Sequence, residues 1–317
     1  MSLTWDQGAI PIAVWRKKLG KDQFGKPYPN DGVKDGRILY SNPAMIFGEK
    51  QVLPVGGSPY VDIVNGQLNR HPVIGGHIHS YLPGATGTGK SFKVSDDILE
   101  HLTIDPDARV FVISGMQDLE HHAAYHHLRN KDTGIEGEEG YIRGKYRWDL
   151  VPLEMFYGKK PITFNDFEPG SFVVFDDCGT IEPPELNRRV HALQKDLLEC
   201  GRRSRISVAI TSHIALNGQK SRAVFADLSD VTLYPQGTTH GIRALLEEYC
   251  DFSPFQIYKF LNIPSHWGSV LTKGSPVTIL HSKGAYILPR DDNEDPEYAL
   301  WLKSKSKKAT LARAIKD

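Results

Sequence analysis

The stretch Gly84-Ala85-Thr86-Gly87-Thr88-Gly89-Lys90-Ser91 restricts the architecture of this 317-residue chain more than any other feature. It has the form G-x-x-x-x-G-K-[ST], in which successive backbone N–H groups turn inward onto phosphate oxygens. Such a loop is built where a buried strand feeds directly into a helix. The flanks agree: His77 to Leu82 is strand-like, and Phe92 to Leu99 carries apolar residues at helical spacing. The expected ligand is a nucleoside triphosphate held by residues 84 to 91 and by Phe92 next to them. Lys90 would set a cation near the β and γ phosphates, the Ser91 hydroxyl suits Mg²⁺, and the helix beginning near Lys90 adds its positive end.

A second run, Ser171-Phe172-Val173-Val174-Phe175-Asp176-Asp177, is apolar, β-branched and aromatic until it ends in two carboxylates. That is the composition of a Walker B strand. A parallel strand covered on both faces admits charge only where it leaves the sheet, and ligands bind at that carboxyl edge. Asp176 is expected to hold Mg²⁺, mainly through water, and Asp177 to orient or deprotonate the attacking water. The alternative for the pair is that it opens the turn Cys178-Gly179-Thr180.

Spacing extends the reading. Eighty-six residues separate Lys90 from Asp176, room for a whole strand, helix and insertion. This predicts the additional-strand arrangement, in which Ile206 to Ser212 lies between the loop strand and the aspartate strand. Thr211 or Ser212 at its tip would then hydrogen-bond the γ-phosphate or attacking water, unless the hydroxyl only caps the strand. Further strands are expected at Arg109 to Ile113 and Asp230 to Tyr234, helices at Asp118 to Asn130 and Glu185 to Cys200, and a hairpin around Ser282-Lys283-Gly284. The expected fold class is α/β: a RecA-like additional-strand phosphate-loop NTPase with a central, mostly parallel sheet flanked by helices. Residues 1–70 are expected to form an N-terminal extension of loops and short strands, 71–290 the phosphate-loop ATPase domain with its C-terminal β-hairpin, and 291–317 a basic tail whose lysine-rich stretch from Lys303 to Lys316 suits disorder. Residues 131–165 read as an exposed insertion.

The 38 basic and 38 acidic side chains cancel, so nucleic-acid binding must be local or arise when subunits assemble. Three cysteines, Cys178, Cys200 and Cys250, fit a reducing compartment and make neither a disulfide framework nor a zinc site. The start lacks a basic and then apolar leader, and no stretch approaches membrane-spanning length. A soluble, unsecreted protein without membrane contact is expected.

Together, the glycine-rich loop, Phe-Val-Val-Phe-Asp-Asp and Gly201-Arg202-Arg203-Ser204-Arg205-Ile206-Ser207-Val208-Ala209-Ile210-Thr211-Ser212-His213 resemble the FtsK/HerA superfamily. The likeness covers residues 71–290 and is nearest to genome-packaging ATPases of double-jelly-roll DNA viruses, including nucleocytoplasmic large DNA viruses and virophages. It implies a pentameric or hexameric homo-oligomeric ring that hydrolyses ATP with Mg²⁺ at subunit interfaces and drives double-stranded DNA into a capsid. It also implies a capsid or portal partner, and a place in the virus factory of the host cytoplasm and in the virion. The family's arginine finger would correspond to Arg203, or to Arg202, supplied in trans. Asp177 stands where many relatives have glutamate, and Ser212-His213 where many have glutamine after the threonine. A nucleotide or small-molecule kinase, or a weakly hydrolysing nucleotide-dependent assembly protein, are the competing readings. Arg143, Lys145, Tyr146, Arg147 and Trp148 suit either a DNA-gripping pore loop or a packing loop. His122 and His126 stand one helical turn apart, but one helix face does not complete a zinc site.

Overall fold

The structure is a computed structural model that describes residues 2–17, 35–42, 45–47, 50–52, 57–63, 66–71, 77–116, 125, 147–157, 159–213, 225, 227–236, 239–271, 277–289 and 291–314. The N-terminal part is made of strands: β1 (Ser2–Trp5), β2 (Ile10–Arg16), β3 (Ile38–Asn42), β4 (Met45–Phe47), β5 (Lys50–Val52), β6 (Tyr60–Asp62) and β7 (Gln67–Arg70). The α/β part follows with β8 (His79–Pro83), helix α1 (Lys90–Ile104), β9 (Arg109–Ser114), β10 (Arg147–Leu150), β11 (Phe172–Asp176), α2 (Pro184–Cys200) and β12 (Ser207–Ser212). It closes with β13 (Asp230–Leu233), α3 (Thr239–Cys250), α4 (Pro254–Leu261), β14 (Gly268–Leu271), β15 (Thr278–His281), β16 (Gly284–Ile287) and α5 (Tyr298–Ala314).

The main sheet has ten strands in the order β10-β9-β11-β12-β8-β13-β14-β15-β16-β6. From β10 to β13 every pairing is parallel, and from β13 onward every pairing is antiparallel. Strand β12 therefore sits between the loop strand β8 and the aspartate strand β11, as the motif spacing predicts. The near-continuous apolar runs have a direct cause, since both faces are covered. Alternate residues Phe172, Val174, Ala209 and Leu82 join Val94, Ile98 and Leu102 of α1 in one core. Val173, Phe175, Val208 and Ile210 point the other way, onto Leu186, Val190, Leu193, Leu197 and Leu198 of α2.

The N-terminal extension is a sheet of its own, order β1-β3-β2-β7, while β6 extends the main sheet beside β16. Leu3, Ile12, Trp15, Leu39 and Leu68 pack on Leu271, Leu280, Ala285 and Ile287 of the antiparallel end. Polar ties reinforce the docking. Arg16 makes two bonds to Glu100 of α1, 2.7 and 2.5 Å, Asn69 a third at 2.9 Å, and Arg70 pairs with buried Asp230.

Two expectations change. Arg147–Leu150 is not an excursion but a parallel edge strand, continued by buried Val151 and Phe156. Glycine and charge mask this strand in sequence, because its pairing partner β9 lies 38 residues earlier by register. The tail is helical over Tyr298–Ala314, since Tyr298 and Trp301 stack on each other and pack edge-on and tilted against buried Phe255, which anchors its first turns. The helix expected at 118–130 lies outside the described residues, apart from Tyr125.

Candidate nucleotide site

The loop of residues 84–89 leaves the carboxyl end of β8 and enters α1 at Lys90. Gly87 and Gly89 have φ of +81° and +88°, the left-handed region where a side chain is costly. Gly89 is the N-cap of α1, so the loop delivers the first free N–H groups of the helix to one point. Gly84 N donates to Ser212 O at 2.9 Å, fastening the loop to the tip of β12. Lys90 is buried, 5% exposed, and its ammonium donates to the Gly84 and Ala85 carbonyls at 2.8 and 3.2 Å. Ala85, Thr86 and Gly87 are exposed, Thr88 and Gly89 half-buried. Phe92 is 55% exposed on the first turn of α1, an open aromatic face beside the loop.

Across the loop stand both carboxylates. Asp176 ends β11 fully inside, and Asp177 turns the chain with φ +48°, which an aspartate tolerates better than most residues. Thr211 joins them: its hydroxyl donates to Asp176 Oδ1 at 2.7 Å and accepts from Asp177 N at 2.8 Å. Ser91 Oγ reaches the same Asp176 oxygen at 3.4 Å. A serine hydroxyl and a carboxylate converging at the loop are hard oxygen donors suited to Mg²⁺. Tyr125 is fully buried with its hydroxyl toward Asp176 and Ser91. Burial first, then the Asp176 charge, push it well above the ordinary phenol range. Cys178 is likewise raised by burial and then by the two aspartates, which makes it an inert thiol.

Lys90, Ser91, Asp176, Asp177 and Thr211 are thus brought together. The arginines are not. Arg202, Arg203 and Arg205 are exposed in the turn after α2, where Ile206 N bonds Gly201 O and Ser207 N bonds Ser171 O. That turn lies at the amino edge of β11 and β12, the length of the six-residue strand β12 away from the loop, roughly 20 Å at strand rise. No side chain spans that distance, so these guanidiniums do not reach the phosphate loop of their own subunit. Arg147 and Trp148 lie in β10; Arg143, Lys145, Tyr146, His122 and His126 fall outside the described residues.

By loop, carboxylates and sheet order, the chain has a RecA-like α/β fold with a phosphate-binding loop at the carboxyl end of β8. No model of a known protein family matches it. It is similar to "Uncharacterized protein V3" of Sputnik virophage, 28% identical over 211 residues, 66% of this chain and 76% of that one. Among solved structures it is similar to the genome packaging NTPase B204 of Sulfolobus turreted icosahedral virus 2 in complex with AMPPCP. That match is 9% identical, covers 65% of this chain and 97% of the other, and has a TM-score of 0.39. For VirB4 of Thermoanaerobacter pseudethanolicus the values are 12%, 92% and 100%, with a TM-score of 0.44. The order of the ten strands in this chain defines the fold.

Two contacts escape sequence reading. His213 bridges Asp177 and the loop, 3.1 Å from Asp177 Oδ2 and 3.5 Å from both Lys90 Nζ and Thr86 Oγ1. His266 donates Nε2–H to the Thr88 carbonyl at 2.8 Å, while its neighbour Trp267 covers the Lys93 ammonium. Only the position of His213 directly after the polar tip of β12 signals its role. Nothing near His266 marks it. Among the described residues no helix is long and apolar enough to cross a membrane.

Proposed function

We infer that this protein is an ATPase that assembles into a pentameric or hexameric ring and drives double-stranded DNA into a viral capsid, a genome-packaging motor of the FtsK/HerA type. One observation carries the hydrolytic reading: the bonded series Ser91, Asp176, Thr211 and Asp177, set against Lys90 at a loop built for phosphate. Ser91 and Asp176 would hold Mg²⁺, which when bound supplies charge neutralisation at phosphate oxygens. Asp177 orients or deprotonates water, and Thr211 ties the Asp176 carboxylate to the Asp177 backbone. Phe92 and the residues 84–91 receive the nucleotide.

The exposed turn at Arg202 and Arg203 supports assembly, because guanidiniums that cannot serve their own loop are free to serve a neighbour's. The virophage relative supports a viral role. DNA, a capsid or portal component, and a place in the virus factory and virion belong to this proposal. It is tested by ATP turnover of the full chain and its Lys90→Ala variant, with and without linear duplex DNA, over a protein concentration series. Turnover that rises with DNA and steeply with concentration, and that vanishes in the variant, supports the motor. Turnover indifferent to both DNA and concentration refutes it in favour of a monomeric phosphotransferase.

A further inference from the structure

Asp177 needs a fixed carboxylate to direct a water, and its own geometry does not provide one. It is about a third exposed, stands on a left-handed turn, and is one methylene shorter than glutamate. Thr211 Oγ1 lies 3.4 Å from Asp177 Oδ1, but its single proton is committed to Asp176 at 2.7 Å. Among the described residues the remaining donor to this carboxylate is His213, whose Nε2 is 3.1 Å from Oδ2.

The other ring nitrogen determines the tautomer. Nδ1 faces the Lys90 ammonium and the Thr86 hydroxyl, each at 3.5 Å. An ammonium can only donate, so the nitrogen facing it presents its lone pair. In the neutral ring the proton then sits on Nε2 and points at Asp177. Lysine orients imidazole, and imidazole orients carboxylate.

We propose that His213 is a positioning residue for hydrolysis, which holds the Asp177 carboxylate against the phosphate loop and is itself aligned by Lys90 and Thr86. It rests on the ATPase reading and deepens it. Because His213 acts on the water-directing group, its loss falls on the chemical step; misplacement of a reacting group by about 1 Å can cost on the order of 100-fold.

The test compares full-length wild type, His213→Ala, His213→Gln, Asp177→Asn and the Asp177→Asn/His213→Ala double variant. Turnover is measured across ATP concentration, and affinity with a fluorescent ATP analogue. His213→Ala should lower kcat about 30- to 100-fold and leave analogue affinity within about threefold. His213→Gln, whose amide can donate to Asp177 and accept from Lys90, should recover kcat to within about fivefold of wild type. Once Asp177 is replaced, removing His213 should cost less than about twofold, the signature of residues acting as a unit. An unchanged kcat in His213→Ala, a loss confined to affinity, a glutamine variant no better than alanine, or multiplying losses in the double variant would each overturn the proposal. The ATPase reading is judged apart from this, by turnover of wild type and its loss in Lys90→Ala.

Discussion

Replacing Thr211 by valine removes one hydroxyl and keeps the shape of the side chain, so the effect isolates the bond that joins the two aspartates. Thr211 is 3% exposed, donates to the Asp176 carboxylate and accepts from the Asp177 amide. Loss of a bond to a charged group is worth about 1.5–3 kcal/mol, and a stranded amide about 1–3 kcal/mol. Asp177 is half-buried, so water can reach part of its backbone, and the lower half of the sum applies, about 2.5–4 kcal/mol. Thr211→Ser keeps the hydroxyl and gives up a methyl group, about 1 kcal/mol. With an unfolding entropy of about 2.1 cal/mol/K per residue, each kcal/mol shifts the Tm of this chain by roughly 1.5 °C, so valine should melt about 4–6 °C below wild type and serine about 1.5 °C. Chemical unfolding at pH 7 checks the energies, and ATP turnover should fall about 100-fold in the valine variant, since the Asp176 carboxylate and the Asp177 backbone both lose their tether. A valine variant as stable and as active as the serine variant would refute the assignment of this hydroxyl as the joint of the site.

A mixture of Lys90→Ala with Arg203→Ala, each inactive alone, should regain turnover if one subunit's guanidinium serves its neighbour's loop. No recovery at any ratio, with Arg202→Ala giving the same result, would place the finger elsewhere. His281 supplies a pH effect on stability. Burial, opposed by the Asp62 charge, lowers its pKa from 6.5 to about 4 at a site 4% exposed. The unfolded chain takes up the proton first, so this contribution is present above about pH 6.5 and is lost as pH falls toward 4. Between pH 7 and 5 it should cost about 2 kcal/mol, read as the difference in unfolding free energy between wild type and His281→Asn at the two pH values.

The nucleotide site was largely legible because its chemistry is local in the chain. Glycines at 84, 87 and 89, followed by Lys90 and Ser91, encode a turn and a helix start in eight residues, and an apolar run that stops at Asp176 encodes a buried strand and its exit. The number of residues between the two motifs leaves room for a whole intervening unit, which points to β12 lying between β8 and β11, the order the sheet has. The amphipathic stripe of α2, Leu186 through Leu198, follows from a 3.6-residue period alone.

What remained hidden depends on partners far apart. Arg147–Leu150 becomes a strand because the β9 edge is free to accept it, a property of the sheet that its own composition does not announce. The basic tail becomes a helix because Tyr298 and Trp301 find Phe255. His213 meets Thr86 across 127 residues and Asp177 across a strand gap, so its tautomer and its role exist only once β8, β12 and β11 lie side by side. Sequence determined which groups this protein carries to the phosphate loop, because backbone turns and burial periods are short-range. Tertiary structure decided which of them touch, and left Arg202 and Arg203 at the far edge of the sheet, because strand order alone sets the distances between residues that the chain itself keeps apart.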